Sequence, residues 1–201
     1  MNSWKDWRKL DPNHNKLIHP SGNDPNRYDA YGILDANSLL ERIPDIATKK
    51  TLDYGCGNAR MLRHMTKYPI YGVDIVPEFI AEAQTYNSKC LLRDHLLDTN
   101  FELVYSISVF LHLDDDQTKE ALQYIYQRLL PGGKAYLQIP TYETQTSPRD
   151  FMDVRTWKAD NLLTIMEWIG FEIETLWVNP GSFAYDAPGP HHNEFQVCIK
   201  S

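Results

Sequence analysis

No stretch of the chain approaches the ~18 consecutive apolar residues that a membrane span needs, so no transmembrane segment is expected. The opening stretch MNSWKDWRKLDPNHNK lacks the apolar core of a secretory signal. Cysteine is scarce: Cys56, Cys90 and Cys198 are scattered without C-x-x-C spacing. That pattern argues against a disulfide framework or a zinc site and fits a reducing, cytoplasmic setting. Basic clusters are missing too. The net charge is −7 and Lys49–Lys50 is an isolated pair, so no nucleic-acid partner is expected. Asp114, Asp115 and Asp116 have no His or carboxylate spacing around them that would make a metal site, and they read as a helix start.

What remains is a chain of 201 residues, 42% of them apolar, enough for one well-buried core. Its organising stretch is KTLDYGCGNAR, Lys50 to Arg60. A short apolar-containing run meets Gly55 and Gly57, and Ala59, Met61, Leu62 and Met65 that follow, spaced like a helix face, predict a helix over about Asn58–Thr66. Strand, glycine turn and helix open a nucleotide-binding α/β unit. The dinucleotide fingerprint G-x-G-x-x-G is incomplete, because Arg60 stands at the third glycine. Asp53, just before the glycines, would repel a pyrophosphate but suits an ammonium group.

Before this stretch, Leu34, Leu39, Leu40, Ile43 and Ile46 predict a helix over Tyr31–Ile46, interrupted by Pro44. After it, strands are expected at Ile70–Val73 (running into Asp74), Lys89–Leu92, Phe101–Val109 and Ala135–Ile139. A helix is expected from Pro77, with Phe79, Ile80 and Ala83 inward, and another from Asp114 to the Pro131–Gly132–Gly133 stop. A last helix at Trp157–Ile169 precedes strands Phe171–Val178 and Glu194–Ile199. The alternation predicts a Rossmann-like, doubly wound α/β fold: a mostly parallel seven-stranded sheet with an antiparallel last strand and helices on both faces.

Five stretches together resemble the class I S-adenosylmethionine-dependent methyltransferases of the small single-domain kind. TLDYGCGNARML is similar to that family's first motif, vLDxGCGxGxxL, with Asn58–Ala59 in place of its second small pair. IYGVDIVPEFIAEAQ, RDHLLDTNFELVYSISVFLHL, LLPGGKAYLQIP and WIGFEIETLW follow in the family's order over residues 30–200. The resemblance implies a cofactor-binding domain over 31–201, with residues 1–30 as an N-terminal flap or lid. It assigns Asp53, Gly55, Cys56 and Gly57 to the methionine and ribose, and Asp74 to the two ribose hydroxyls. It places Ile75 on the adenine, Asp94 at the adenine amino group with His95 or Leu96 alongside, and Ser106 and Ile107 near the reactive methyl. The alternative readings of Asp74 and Asp94 are a helix cap and a turn cap; that of Cys56 is a small filler.

Methyl transfer from a sulfonium needs alignment and exclusion of water, and a base only if the acceptor carries a proton that must leave. His112, after the fourth strand, and His191 and His192, in a proline-rich loop, are the candidate bases. Tyr28 and Tyr31 would close over the cofactor or staple the first helix. Residues 1–30, 140–156 and 179–193, which include Trp4 and Trp7, are candidates for the substrate wall. The expected partner is a small-molecule acceptor of O- or N-methylation, with a protein or peptide as the alternative. An NAD-dependent oxidoreductase and a non-catalytic cofactor-binding protein are the readings from other classes.

Overall fold

The computed structural model describes residues 24–96, 98–141, 155–178 and 193–199. The chain divides into two compact units, residues 3–97 and residues 98–201 with 1–2.

In the first unit, Asp24 caps helix α1 (Pro25–Arg42) by accepting from the amides of Asn26 and Arg27, and Pro25 fills the first helical position. Tyr28, Gly32, Asp35, Ala36 and Leu39 make its buried face. The helix begins earlier than the apolar spacing predicts, because its first turns are polar outside and carry only Tyr28 inward. Pro44 starts a separate 3-10 turn, Pro44–Ala47, which buries Ile46. The strands β1 (Thr51–Tyr54), β2 (Ile70–Asp74) and β3 (Cys90–Leu92) are parallel neighbours in the order β3-β2-β1, with Asp53 opposite Gly72 and Asp74 opposite Leu92. Helix α2 (Pro77–Ala83) buries Phe79, Ile80 and Ala83 as the spacing predicts.

The helix expected over Asn58–Thr66 does not form. Between β1 and β2 the chain runs through turns, with a single 3-10 turn at Leu62–His64. The cause is local: Gly55, Gly57 and Ala59 have φ of 81°, 53° and 65°, which no right-handed helix accommodates. Met61, Leu62 and Met65 are buried all the same, so their spacing reported burial rather than helix. Gly72 is fixed by space: a Cβ there would lie 2.8 Å from Cys56 Sγ and 2.9 Å from Cys90 Sγ.

Ala59 is fully buried and left-handed, a conformation that costs a residue with a Cβ about 1–2 kcal/mol. Glycine relieves that strain and gives up one buried methyl, worth ~0.8 kcal/mol. Ala59→Gly is therefore expected to be neutral or to stabilise by up to about 1 kcal/mol. Thermal unfolding checks this, and a clear drop in Tm would contradict it.

In the second unit, β4 (Phe101–Ser106) stops short of the expected Val109. Ser108 turns at φ 58° and a 3-10 turn, Phe110–His112, follows. Helix α3 (Asp115–Arg128) begins with a full capping box, Asp114 with Gln117, and buries Ala121, Leu122 and Ile125. It ends at Arg128, and β5 (Leu129–Ile139) follows directly. Pairing jumps from Phe101–Leu129 to Leu103–Lys134, so Pro131–Gly132–Gly133 interrupts the ladder rather than stopping the helix. Helix α4 (Ala159–Ile169) ends on Gly170 at φ 112°. The strands β6 (Phe171–Val178) and β7 (Asn193–Ile199) complete the order β4-β5-β7-β6. The pair β4–β5 is parallel, while β7, the last strand, runs antiparallel to both its neighbours. The architecture is the expected Rossmann-like α/β fold.

Candidate cofactor site

In the first unit the site residues gather at the carboxyl ends of the parallel strands, where α/β folds bind ligands. The turn leaving β1 is tied to β2: the amides of Gly55 and Cys56 both donate to the Val73 carbonyl, at 2.8 and 2.9 Å. The positive φ at Gly55 and Gly57 is what lets the chain fold back so tightly. Asp74, closing β2, then fastens the loop. Its Oδ2 accepts from the Gly57 amide at 2.9 Å, and its Oδ1 from the Val76 amide at 3.0 Å.

The bond to Val76 reaches the N-cap residue of α2, whose own side chain makes no cap bond. The Ile75 amide bonds the carboxylate as well, so three of the roughly four acceptor positions of a carboxylate are taken. The side chain also stays partly exposed, so acceptor capacity remains for a ligand. Burial pushes the Asp74 carboxyl above its ordinary value, against the lowering effect of the backbone amides.

Cys56 is buried between the glycines, and its thiol lies against Cys90. The hydrogen bond with Cys90, then burial, pushes the Cys56 thiol well above the ordinary value. Such a thiol is a packing group and not a nucleophile. Asp53 is buried in β1. Ile75 follows Asp74 and is half-buried. Asp94 and His95 sit in the exposed 3-10 turn Arg93–His95 immediately after β3, on the same strand edge as Asp74. The Arg93 guanidinium donates to Asp94 at 3.2 Å.

In the second unit Ser106 is buried at the end of β4, and Ile107 is buried after it. The buried Gln138 accepts from the amide and hydroxyl of Ser108, at 2.8 and 3.3 Å, and so holds the turn that ends β4. His112 closes the 3-10 turn beyond and is half-buried. The Leu111 carbonyl beside it accepts from the Arg155 amide at 2.7 Å. Arg155 itself is buried, ion-paired with Asp115 and stacked 4.0 Å over the Trp157 ring. His191 and His192 lie outside the described residues, as do Trp4 and Trp7.

Several residues that shape the loop were not singled out in the sequence. Asn58, merely a departure from the motif, is almost wholly buried and accepts from the Tyr28 hydroxyl at 2.7 Å. Arg60, at the missing third glycine, turns inward to Asp35 on α1 at 2.6 Å. The acidic residue on the buried face of α1 was the one available signal, since a buried carboxylate requires a partner.

The family profile described as a methyltransferase domain matches residues 27–176. No curated protein matches the chain. Among solved structures the chain is similar to a TehB-like SAM-dependent methyltransferase from Corynebacterium glutamicum, with 20% identity and a TM-score of 0.61 over 83% of this chain and 88% of that one. It is also similar to the magnesium protoporphyrin IX methyltransferase of Synechocystis, solved with bound SAM, with 13% identity and a TM-score of 0.61 over 96% and 98% of the two chains. A glycopeptide N-methyltransferase in complex with S-adenosyl-L-homocysteine shares 13% identity and a TM-score of 0.63, over 84% and 90%. With the profile covering most of its length, the chain belongs to the methyltransferase-domain family and is a class I S-adenosylmethionine-dependent methyltransferase.

Proposed function

We propose that the enzyme transfers the cofactor's methyl group to a small molecule, at oxygen or nitrogen. The observation that carries the cofactor half of this reading is the Gly55–Gly57 turn bonded to the Asp74 carboxylate at 2.9 Å. The turn's backbone would receive the methionine and ribose, and Asp74 the two ribose hydroxyls. Ile75 would pack on the adenine, with Asp94 at its amino group and His95 or Leu96 alongside. Ser106 and Ile107 would line the methyl side, as the resemblance assigns them. When bound, the cofactor supplies an activated methyl group, and the protein's part is alignment and exclusion of water.

The acceptor half rests on charge and on kind. A net charge of −7 without a basic cluster disfavours a nucleic acid. Similar folds act on a porphyrin and on a glycopeptide, judged by their names. A protein acceptor is the second reading, since an acidic protein attracts basic tails. His112 is the proposed base for an acceptor that must lose a proton, and His191 and His192 share that proposal. A cytoplasmic location is proposed from the scattered cysteines; among the described residues no helix is long and apolar enough to cross a membrane.

The test is transfer of labelled methyl from the cofactor into a cell extract separated by size. Label in the small-molecule fraction is expected. Label confined to protein would establish the second reading, and label in RNA would overturn both.

A pH dependence follows from Asp74. Burial raises its carboxyl from the ordinary value in the folded protein, against the lowering effect of the backbone amides. The ionised form is the one that accepts two ribose hydroxyls, so affinity should begin to fall at a pH above that of an ordinary carboxylate. Stability runs the other way. A raised folded value means that the folded state binds the proton more readily than the unfolded one, so this group's contribution to stability improves as pH falls through it. Titration with S-adenosylhomocysteine from neutral pH down through the ordinary carboxylate range checks the first effect; affinity that falls only below that range would contradict it.

A further inference from the structure

The cofactor turn continues into backbone that no helix supports, and α1 supplies what the missing helix would have. Gly57 and Ala59 are left-handed, while Asn58 and Arg60 between and beyond them are buried. Four contacts hold this stretch. The Tyr28 hydroxyl donates to Asn58 Oδ1 at 2.7 Å, and Asn58 Nδ2 donates to Glu82 on α2 at 3.1 Å. Arg63 donates to the Asn58 carbonyl at 3.3 Å. Asp35 pairs with Arg60 at 2.6 Å. At Gly32, α1 lies flush on the same backbone, since a Cβ there would come within 2.5 Å of the Arg60 carbonyl. The Tyr28 hydroxyl, pushed up to about 12 mainly by burial, remains a donor over any working pH.

We propose that Tyr28 is a positioning residue of the cofactor site, acting through Asn58 to hold the Gly55–Gly57 turn in its binding conformation without touching the cofactor. This rests on the S-adenosylmethionine reading of that turn. Left-handed alanine is unfavourable by itself, so the turn stays formed only while its surroundings over-determine it. Releasing the clamp lets part of the population leave that conformation. The apparent dissociation constant rises as the inverse of the competent fraction. One buried neutral hydrogen bond corresponds to roughly three- to tenfold in the equilibrium between the two conformations, which is the upper limit of the change in that fraction.

The experiment is calorimetric titration with S-adenosylhomocysteine, well below the unfolding temperature. It compares wild type, Tyr28→Phe, Asn58→Ala, the double variant and Ile125→Val. Ile125 lies in the core of α3 and serves as a control for simple loss of stability. Tyr28→Phe is expected to weaken binding, by at most about three- to tenfold. The double variant should be no weaker than Asn58→Ala alone, because Asn58→Ala already removes the Tyr28–Asn58 link together with the bond to Glu82. Ile125→Val should lower Tm with unchanged affinity. The proposal is overturned if Tyr28→Phe lowers Tm but leaves affinity at the wild-type value, if Ile125→Val weakens binding equally, or if the two changes are additive. Wild type that fails to bind at all would instead refute the cofactor reading beneath it.

Discussion

Asp74→Ala is expected to weaken S-adenosylhomocysteine binding by more than tenfold and to destabilise the protein at the same time. The affinity loss follows from removing two charge-assisted bonds to the ribose hydroxyls. Considered as a ribose ligand alone, Asp74 would leave folding almost untouched. The structure adds a second duty, because its two oxygens accept from the Gly57 and Val76 amides. Hydrogen bonds to a charged group contribute about 1.5–3 kcal/mol each. The burial that raises the Asp74 carboxyl offsets part of this, so a net loss of about 1–3 kcal/mol is expected. Calorimetry at low temperature separates the two effects. Unchanged affinity in a folded Asp74→Ala protein would refute the ribose assignment.

The second large effect lies at Asp35. Its carboxylate is 1% exposed and pairs with Arg60, itself 9% exposed in its side chain. Removing one partner leaves a buried charge uncompensated, so Asp35→Ala should cost about 3–5 kcal/mol. For a chain of this size that lowers Tm by roughly 6–20 °C. Burial, more than Arg60 opposes it, raises the Asp35 carboxyl above its ordinary value. The pair therefore does not stabilise the fold strongly against an apolar equivalent. Asp35→Leu combined with Arg60→Met should accordingly recover most of the loss. Thermal unfolding of the single and double variants checks both statements; a drop of under ~2 °C for Asp35→Ala would contradict the first.

The strands were largely legible because their signals are local. Thr51–Tyr54, Ile70–Asp74 and Phe171–Val178 are short apolar runs bounded by turn residues, and the structure places strands there. Helix α2 was legible for a similar reason: Pro77 at its start and three apolar residues at helical spacing agree. The segment after the glycines misled because Met61, Leu62 and Met65 have helical spacing, whereas burial and not a helix accounts for them. Backbone φ at Ala59 is not written in an alanine. The end of β4 misled in the same way, since Ile107 and Val109 continue an apolar run across the turn at Ser108. The start of α1 is signalled by Asp24–Pro25 and not by apolar periodicity.

The candidate site divides along the same line. Asp74 and the glycines are assigned through the motifs' resemblance to a family, which the sequence carries in order. Asp35, Asn58 and the inward pairing of Arg60 were not legible, and Tyr28 was legible only as a residue closing over the cofactor or stapling the first helix, because each acts on its neighbour. Their partners lie 25 to 30 positions away in the chain, between Asp35 and Arg60 and between Tyr28 and Asn58.

The Gly55–Gly57 turn and Asp74 are proposed to receive S-adenosylmethionine and not a dinucleotide. Parallel calorimetric titrations of the wild-type protein with S-adenosylhomocysteine and with NAD test this most directly. Saturable one-to-one binding of S-adenosylhomocysteine with no heat from NAD is the predicted result; tight binding of NAD alone would contradict it.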